Sequence, residues 1–196
     1  MTLTSITLPD LLAGDVRARL SSLLSTRAPS ATVAITCVDV PRVPVSVLAM
    51  ALDLAVSTGG FLRLEGLSAH TLQALHVIDP ERRLAVDDIA RVAHVGERPY
   101  QVRAGGDGSL HVVLSKGIGQ HPHMADMASY EWIRGVDATS VVVDMAQIEH
   151  LNSLLVAWLL QLNQGAGPGR CRLVNVGRQA VAQLTQLRLN HLLLIT

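Results

Sequence analysis

The feature that most constrains this chain is an internal repeat. Ala31 to Val86 aligns with Thr139 to Ile195, at first with a constant offset of 108 positions. Val33 with Val141, Ala49 with Ala157, Leu52 with Leu160, Leu54 with Leu162 and Gly59 with Gly167 all keep it. One residue is inserted near Pro168, after which the offset is 109. Gly60, Arg63, Leu64, Leu75 and Leu84 then match Gly169, Arg172, Leu173, Leu184 and Leu193. Aliphatic matches are cheap in a Leu-rich chain, so the weight falls on the glycine turn and the preserved order of elements. A repeat of this length asks for one supersecondary layout used twice.

Each copy reads alike. A β-branched run, Val33-Ala34-Ile35 or Val141-Val142-Val143, is short and lacks a helical period, as a buried strand does. An apolar helix follows, predicted over Ser46 to Ala55 and over Ser153 to Asn163, each stopping at glycine. Second strands are predicted over Phe61 to Leu64 and Cys171 to Val176. Helices with apolar residues three and four apart come next, through Leu72 and Leu75 and through Val181, Leu184 and Leu187. Short strands, Arg83 to Val86 and His191 to Ile195, close the copies. This alternation is that of an α/β layer with largely parallel strands. Upstream, Pro9 to Leu24 and Met124 to Ile133 read as amphipathic helices. Only the second copy has a preceding hairpin, Tyr100 to Ala104 and Leu110 to Leu114 around Gly105-Gly106-Asp107-Gly108. A short helix over Asp87 to His94 leads to a boundary near Gly96-Glu97-Arg98-Pro99. The expected units are therefore 1–95 and 96–196.

Composition narrows the function. Sixteen basic residues balance sixteen acidic ones, so no positive field exists for a nucleic-acid backbone. Aromatics make up only 3% of the chain, against 49% hydrophobic residues. The core must be aliphatic, and a stacking surface for bases is not expected. Apolar runs are interrupted at Asp53 and Gln161, short of a membrane span. No leader pattern opens the sequence, and Cys37 and Cys171 read as buried, reduced thiols of a cytoplasmic protein.

Catalytic constellations are weak. His121-Pro122-His123, with Asp126 as the only nearby carboxylate, falls short of a metal-ligand set. Gly117-Ile118-Gly119 fails both nucleotide fingerprints. No nucleophile elbow or paired carboxylates occur, so no catalytic residue, cofactor or metal is expected. An enzyme or small-ligand sensor built on the Gly117 to His123 loop stands as a minor rival. The remaining candidate is the start of the second apolar helix, Leu151-Asn152-Ser153-Leu154-Leu155. Asn152 is a good N-cap, and a phosphate on Ser153 would meet the free N–H groups of a helix N-terminus.

The stretch Ser140-Val141-Val142-Val143-Asp144-Met145-Ala146-Gln147-Ile148-Glu149-His150-Leu151-Asn152-Ser153 resembles the STAS domain of bacterial anti-sigma factor antagonists. Those proteins show a hydrophobic strand ending in Asp, a loop, then Asp-Ser-Ser-Gly opening an apolar helix. The strand Cys171 to Val176 and the helix through Leu187-Arg188-Leu189 fit as well. The similarity spans about residues 98–195, and more faintly 5–90 through the repeat. It implies a fold of two tandem STAS-like α/β units, each a small mixed β-sheet covered by helices, the first degenerate. It implies a non-catalytic module that binds an anti-sigma factor that is also a serine kinase. Phosphorylation at the Ser153 position would release that partner. The binding surface expected is Glu149, His150, Asn152, Ser153 and Leu154. Here the family's Asp is Asn152, its second Ser is Leu154 and its Gly is Leu155, a bulkier residue where a kinase would approach. In the first copy the acceptor position is Val45, after Pro44, which cannot be phosphorylated. The alternative role is a phosphorylation-independent structural subunit of a larger transport or signalling complex. The two units are expected to pack as an internal pseudo-dimer, or to stand as two beads on a linker, and a homodimer is a further option.

Overall fold

Val33-Ala34-Ile35 is apolar on both faces, which suits a strand flanked on both sides by parallel neighbours. In the computed structural model, which describes residues 3–26, 32–58, 62–86, 98–167 and 169–196, that is its environment. The first half runs β1 (Leu3–Thr7), α1 (Leu8–Leu12), α2 (Val16–Thr26), β2 (Thr32–Thr36), β3 (Val43–Pro44) and α3 (Val45–Thr58). It continues through β4 (Leu62–Glu65), α4 (Ala69–Ile78) and β5 (Ala85–Val86). Its sheet has the order β1-β2-β4-β5, and all its pairings are parallel.

The second half opens with the hairpin β6 (Tyr100–Ala104) and β7 (Ser109–Leu114). The Asp107 carboxylate accepts from the Ser109 N–H and hydroxyl, and Gly108 takes the positive φ of +84° that this turn requires. Two 3-10 turns (Ile118–Gln120 and Pro122–Ala125), α5 (Ala128–Glu131) and a further 3-10 turn (Trp132–Gly135) follow. Then come β8 (Val136–Asp137), β9 (Ser140–Asp144), α6 (Ser153–Ala166), β10 (Cys171–Val174), α7 (Arg178–Gln186) and β11 (Leu194–Ile195). The sheet order is β11-β10-β9-β7-β6, with only the β6–β7 pair antiparallel.

The repeat is visible element by element. β2 and β9, and α3 and α6, begin and end 108 positions apart. β4 with β10, and β5 with β11, are 109 apart, and α4 and α7 start 109 apart. The chain is mixed α/β, with corresponding strands in the same order in both sheets.

Two predicted helices are broken. Pro9 to Leu24 is two helices, because α1 ends at Leu12, capped by Ala13, and the Asp15 carboxylate starts α2 by accepting from the Ala18 N–H. Met124 to Ile133 is three short turns, because the backbone turns extended at Asp126 (ψ 135°), whose carboxylate accepts from the Ala128 N–H to start α5. Cys171 to Val176 is shortened by Asn175, which takes a left-handed φ of 56°. The predicted helix over Asp87 to His94, Gly96-Glu97 at the boundary, the Gly59-Gly60 turn and Phe61 lie outside the described residues.

One apolar core runs through both halves, so they are not beads on a linker. Three contacts lock them. β3 and β8 pair in parallel across the halves. The Arg42 guanidinium donates to the carbonyls of Arg134 (3.1 Å) and Gly165 (2.6 Å). The Thr71 hydroxyl donates to the Gly135 carbonyl at 2.9 Å, while Ser68 caps α4. Gly135 passes so close to α4 that a Cβ there would overlap the His70 carbonyl and the Thr71 amide.

Scarce aromatics are concentrated. Tyr100 Oη, Trp132 Nε1 and Trp158 Nε1 all donate to the buried carbonyl of Ser129, at 2.6, 2.9 and 3.1 Å. Buried indole and phenol groups need a partner, and one carbonyl serves three of them. Burial pushes the Tyr100 phenol up to about 12.

Candidate functional site

The loop from β9 to α6 is fixed from below. Met145, Ile148 and Leu151 are buried, and the Asp144 carboxylate accepts from the Ala146 N–H (2.9 Å) and the Asn175 amide (3.0 Å). Anchors at these three positions leave Glu149 and His150 outside, and both are exposed. Glu149 lies 3.8 Å from the Lys116 ammonium, an exposed pair that contributes little to stability. Gln147 accepts from the Lys116 N–H at 3.1 Å.

Asn152 is the N-cap expected of it. Its Oδ1 accepts from the Leu155 N–H at 2.9 Å, and its Nδ2 donates to the Gly119 carbonyl at 2.7 Å. The Gly117-Ile118-Gly119 turn therefore buttresses the helix start, and a Cβ at Gly119 would crowd the Asn152 amide. Ser153, the first residue of α6, is exposed, and Leu154 is half-buried. Leu155, the residue at the family's Gly position, points into the core and is buried. Its bulk therefore does not obstruct the approach to Ser153, which corrects that expectation.

Sequence reasoning missed the other wall of this surface. Ser153, Val156, Ala157 and Leu160 form a second stripe on α6, opposite the buried stripe of Leu155, Trp158, Leu159 and Leu162. With Leu151, Asn152, Gln183, Gln186 and Leu187 they line a groove of about 480 Å³ between α6 and α7. Gln183 joins the two sides, its Oε1 accepting from the Leu151 N–H (2.9 Å) and its Nε2 donating to the Leu151 carbonyl (3.4 Å). The available signal was that α6 is apolar all round, which is more than one buried face needs.

The repeat shows what this groove corresponds to. Val156, Ala157 and Leu160 match Leu48, Ala49 and Leu52, while Gln183, Gln186 and Leu187 match Ala74, Val77 and Ile78. Those six first-half residues are all buried, and Ala49, Leu52, Val77 and Ile78 line a cleft of about 750 Å³ whose other wall is β6 of the second half. Leu187 is 55% exposed, whereas Ile78 is 3% exposed. One surface is thus covered within the chain and its counterpart is open.

The histidine loop is built differently. His121 Nδ1 accepts from the His123 N–H at 3.3 Å, and Asp126 is engaged with α5. The half-buried His123 ring stacks on Tyr100 at 6.2 Å. Desolvation, helped by the nearby Arg98 charge, lowers its pKa, so the neutral ring is favoured. Among the described residues, no three His, Cys, Asp or Glu side chains are grouped to hold a metal ion. Cys37 and Cys171 are buried free thiols, raised by desolvation to about 11 and about 12, a setting that makes them poor nucleophiles.

No family model matches the chain, and neither the curated proteins nor the solved structures contain a match. No helix among the described residues is long and apolar enough to cross a membrane.

Proposed function

We propose that this chain is a non-catalytic recognition module. Its partner surface is the α6–α7 groove together with the Glu149–Leu154 rim. The observation that carries this reading is the open counterpart of a covered surface. Leu48, Ala49, Leu52, Ala74, Val77 and Ile78 are buried by the chain's own second half, whereas Val156, Ala157, Leu160 and Leu187 line an open groove. An apolar groove with a polar rim, framed by rigid helices, is the anatomy of a protein-binding site. The resemblance of the β9–α6 segment to anti-sigma factor antagonists suggests the partner's class: a regulatory protein with serine kinase activity, in partner-switching control of transcription. The tandem STAS-like division into 1–95 and 96–196 belongs to the same proposal.

Ser153 is the phosphoacceptor in this reading. It is exposed and stands at the groove's mouth, at a helix start where Asn152 already serves the Leu155 N–H. A phosphate there would gain from the remaining N–H groups and the helix dipole, and would place charge beside an apolar groove. Binding would weaken by repulsion and desolvation.

The experiment is affinity capture from the native cell with wild type, Ser153→Ala and Ser153→Asp, with phosphosite mapping of the bait. The switch reading expects recovery by wild type and Ser153→Ala, loss with Ser153→Asp, and phosphate on Ser153. Equal recovery by all three, with no phosphate, would instead support the phosphorylation-independent structural subunit.

A further inference from the structure

The two sheets differ at one edge. In the second half, β7 is flanked by β9 on one side and by antiparallel β6 on the other. Its first-half counterpart is β1, since Ile6 pairs with Ile35 as Val112 pairs with Val143, its repeat equivalent. β1 pairs only with β2, so its outer edge is open among the described residues. Burial follows the difference. Leu110 and Val112 on β7 are buried, whereas the equivalent Thr4 is exposed and Ile6 is half-exposed.

Open edges are usually blunted by shortness, charge, proline or cover. β5 and β11 have two residues each, and β6 carries Arg103 and faces α3 and α4. Among the described residues, β1 has none of these devices. Its five residues, Leu3-Thr4-Ser5-Ile6-Thr7, hold no charge and no proline, and most favour extended backbone. The strand is also self-complementary in the antiparallel sense that β6 adopts on β7. Centred on Ser5, two copies would set Thr4 beside Ile6 twice on one face, with Ser5 facing Ser5.

We propose that the chain forms a two-fold dimer through antiparallel pairing of β1 with β1 of a second copy, centred on Ser5. The pairing completes the first sheet as β6 completes the second. It is an isologous contact, so it closes at two copies and leaves the α6–α7 groove free. It does not depend on what binds that groove.

The test is sedimentation equilibrium of the full chain, alongside a cysteine cross-link. Wild type is expected to be dimeric at about 100 µM. Ser5→Lys sets two like charges face to face and is expected to weaken the dimer at least about tenfold. Thr4→Lys, on the other face of the strand, serves as a second disrupting variant should Ser5→Lys perturb folding. Ser5→Cys is expected to give a disulfide-linked dimer under mild oxidation. Wild type, whose Cys37 and Cys171 are buried, is expected to give none under the same conditions. A monomeric wild type would overturn the proposal. So would a dimer that both lysine variants leave intact and Ser5→Cys fails to link.

Discussion

At the scale of single residues, close approach and desolvation decide most of what this chain tolerates. Gly135 has no positive φ to protect, and its constraint is distance, because α4 passes where a side chain would go. Gly135→Ala must move backbone rather than a flexible side-chain end. A loss of about 3 kcal/mol is expected in urea denaturation. His123 gives a pH signature. Its pKa is lowered in the folded chain, so the unfolded chain binds more protons as pH falls. Its contribution to stability is complete above the ordinary histidine pKa of about 6.5 and is lost as pH falls through the lower folded value. Urea midpoints of wild type should fall over that window, and His123→Asn should flatten the fall. An unchanged slope would remove His123 from the account.

At the scale of elements, capping and turn chemistry were readable in the sequence, and breaks in helices were less so. Asn152 as N-cap, Ser153 as the first residue of α6, and the β6–β7 hairpin all follow from local residue preferences, and each is where the sequence placed it. The Pro9 to Leu24 segment defeated the periodicity argument. Leu11, Leu20 and Leu24 are buried together although two helices supply them, so the apolar stripe survives a break in the backbone. The groove was half legible. Its rim lies in one continuous segment, but Gln183 and Gln186 of α7 and the capping Leu187 meet α6 only in the folded chain. Gln183 shows why this matters, since one side chain holds both polar groups of Leu151. Gln183→Ala should leave global stability within about 1 kcal/mol, because the two bonds are partly solvated. Hydrogen exchange at the Leu151 amide should nevertheless rise. Unchanged exchange would show that the buried anchors alone hold the loop.

At the scale of the whole molecule, the halves carry the same layout but not the same surroundings. The first half gives up its α3–α4 face to the second, and the second keeps the equivalent face open. A shared core predicts that the chain unfolds as one cooperative unit. Trp132 and Trp158 both lie in the second half, Trp132 in the turn that packs on α4, so tryptophan emission reports that half and its seam while far-ultraviolet circular dichroism reports both halves. The two transitions should coincide in wild type. Arg42→Ala, which removes two charged hydrogen bonds between the halves, should cost about 2–3 kcal/mol and shift both together. Separate transitions in wild type would mean that the halves fold alone.

The open face is the centre of the account, and Leu187 is an exposed large apolar residue lining the groove. The most direct measurement is quantitative affinity capture with Leu187→Asp beside Arg103→Ala, a control at an exposed position of β6 that lines the cleft between the halves and not the groove. Tryptophan emission and urea midpoints confirm that both variants are folded. The account expects Leu187→Asp to reduce recovery of the partner by at least about tenfold, as loss of an apolar contact at the centre of an interface does, and Arg103→Ala to leave it unchanged. Full recovery with Leu187→Asp would contradict it.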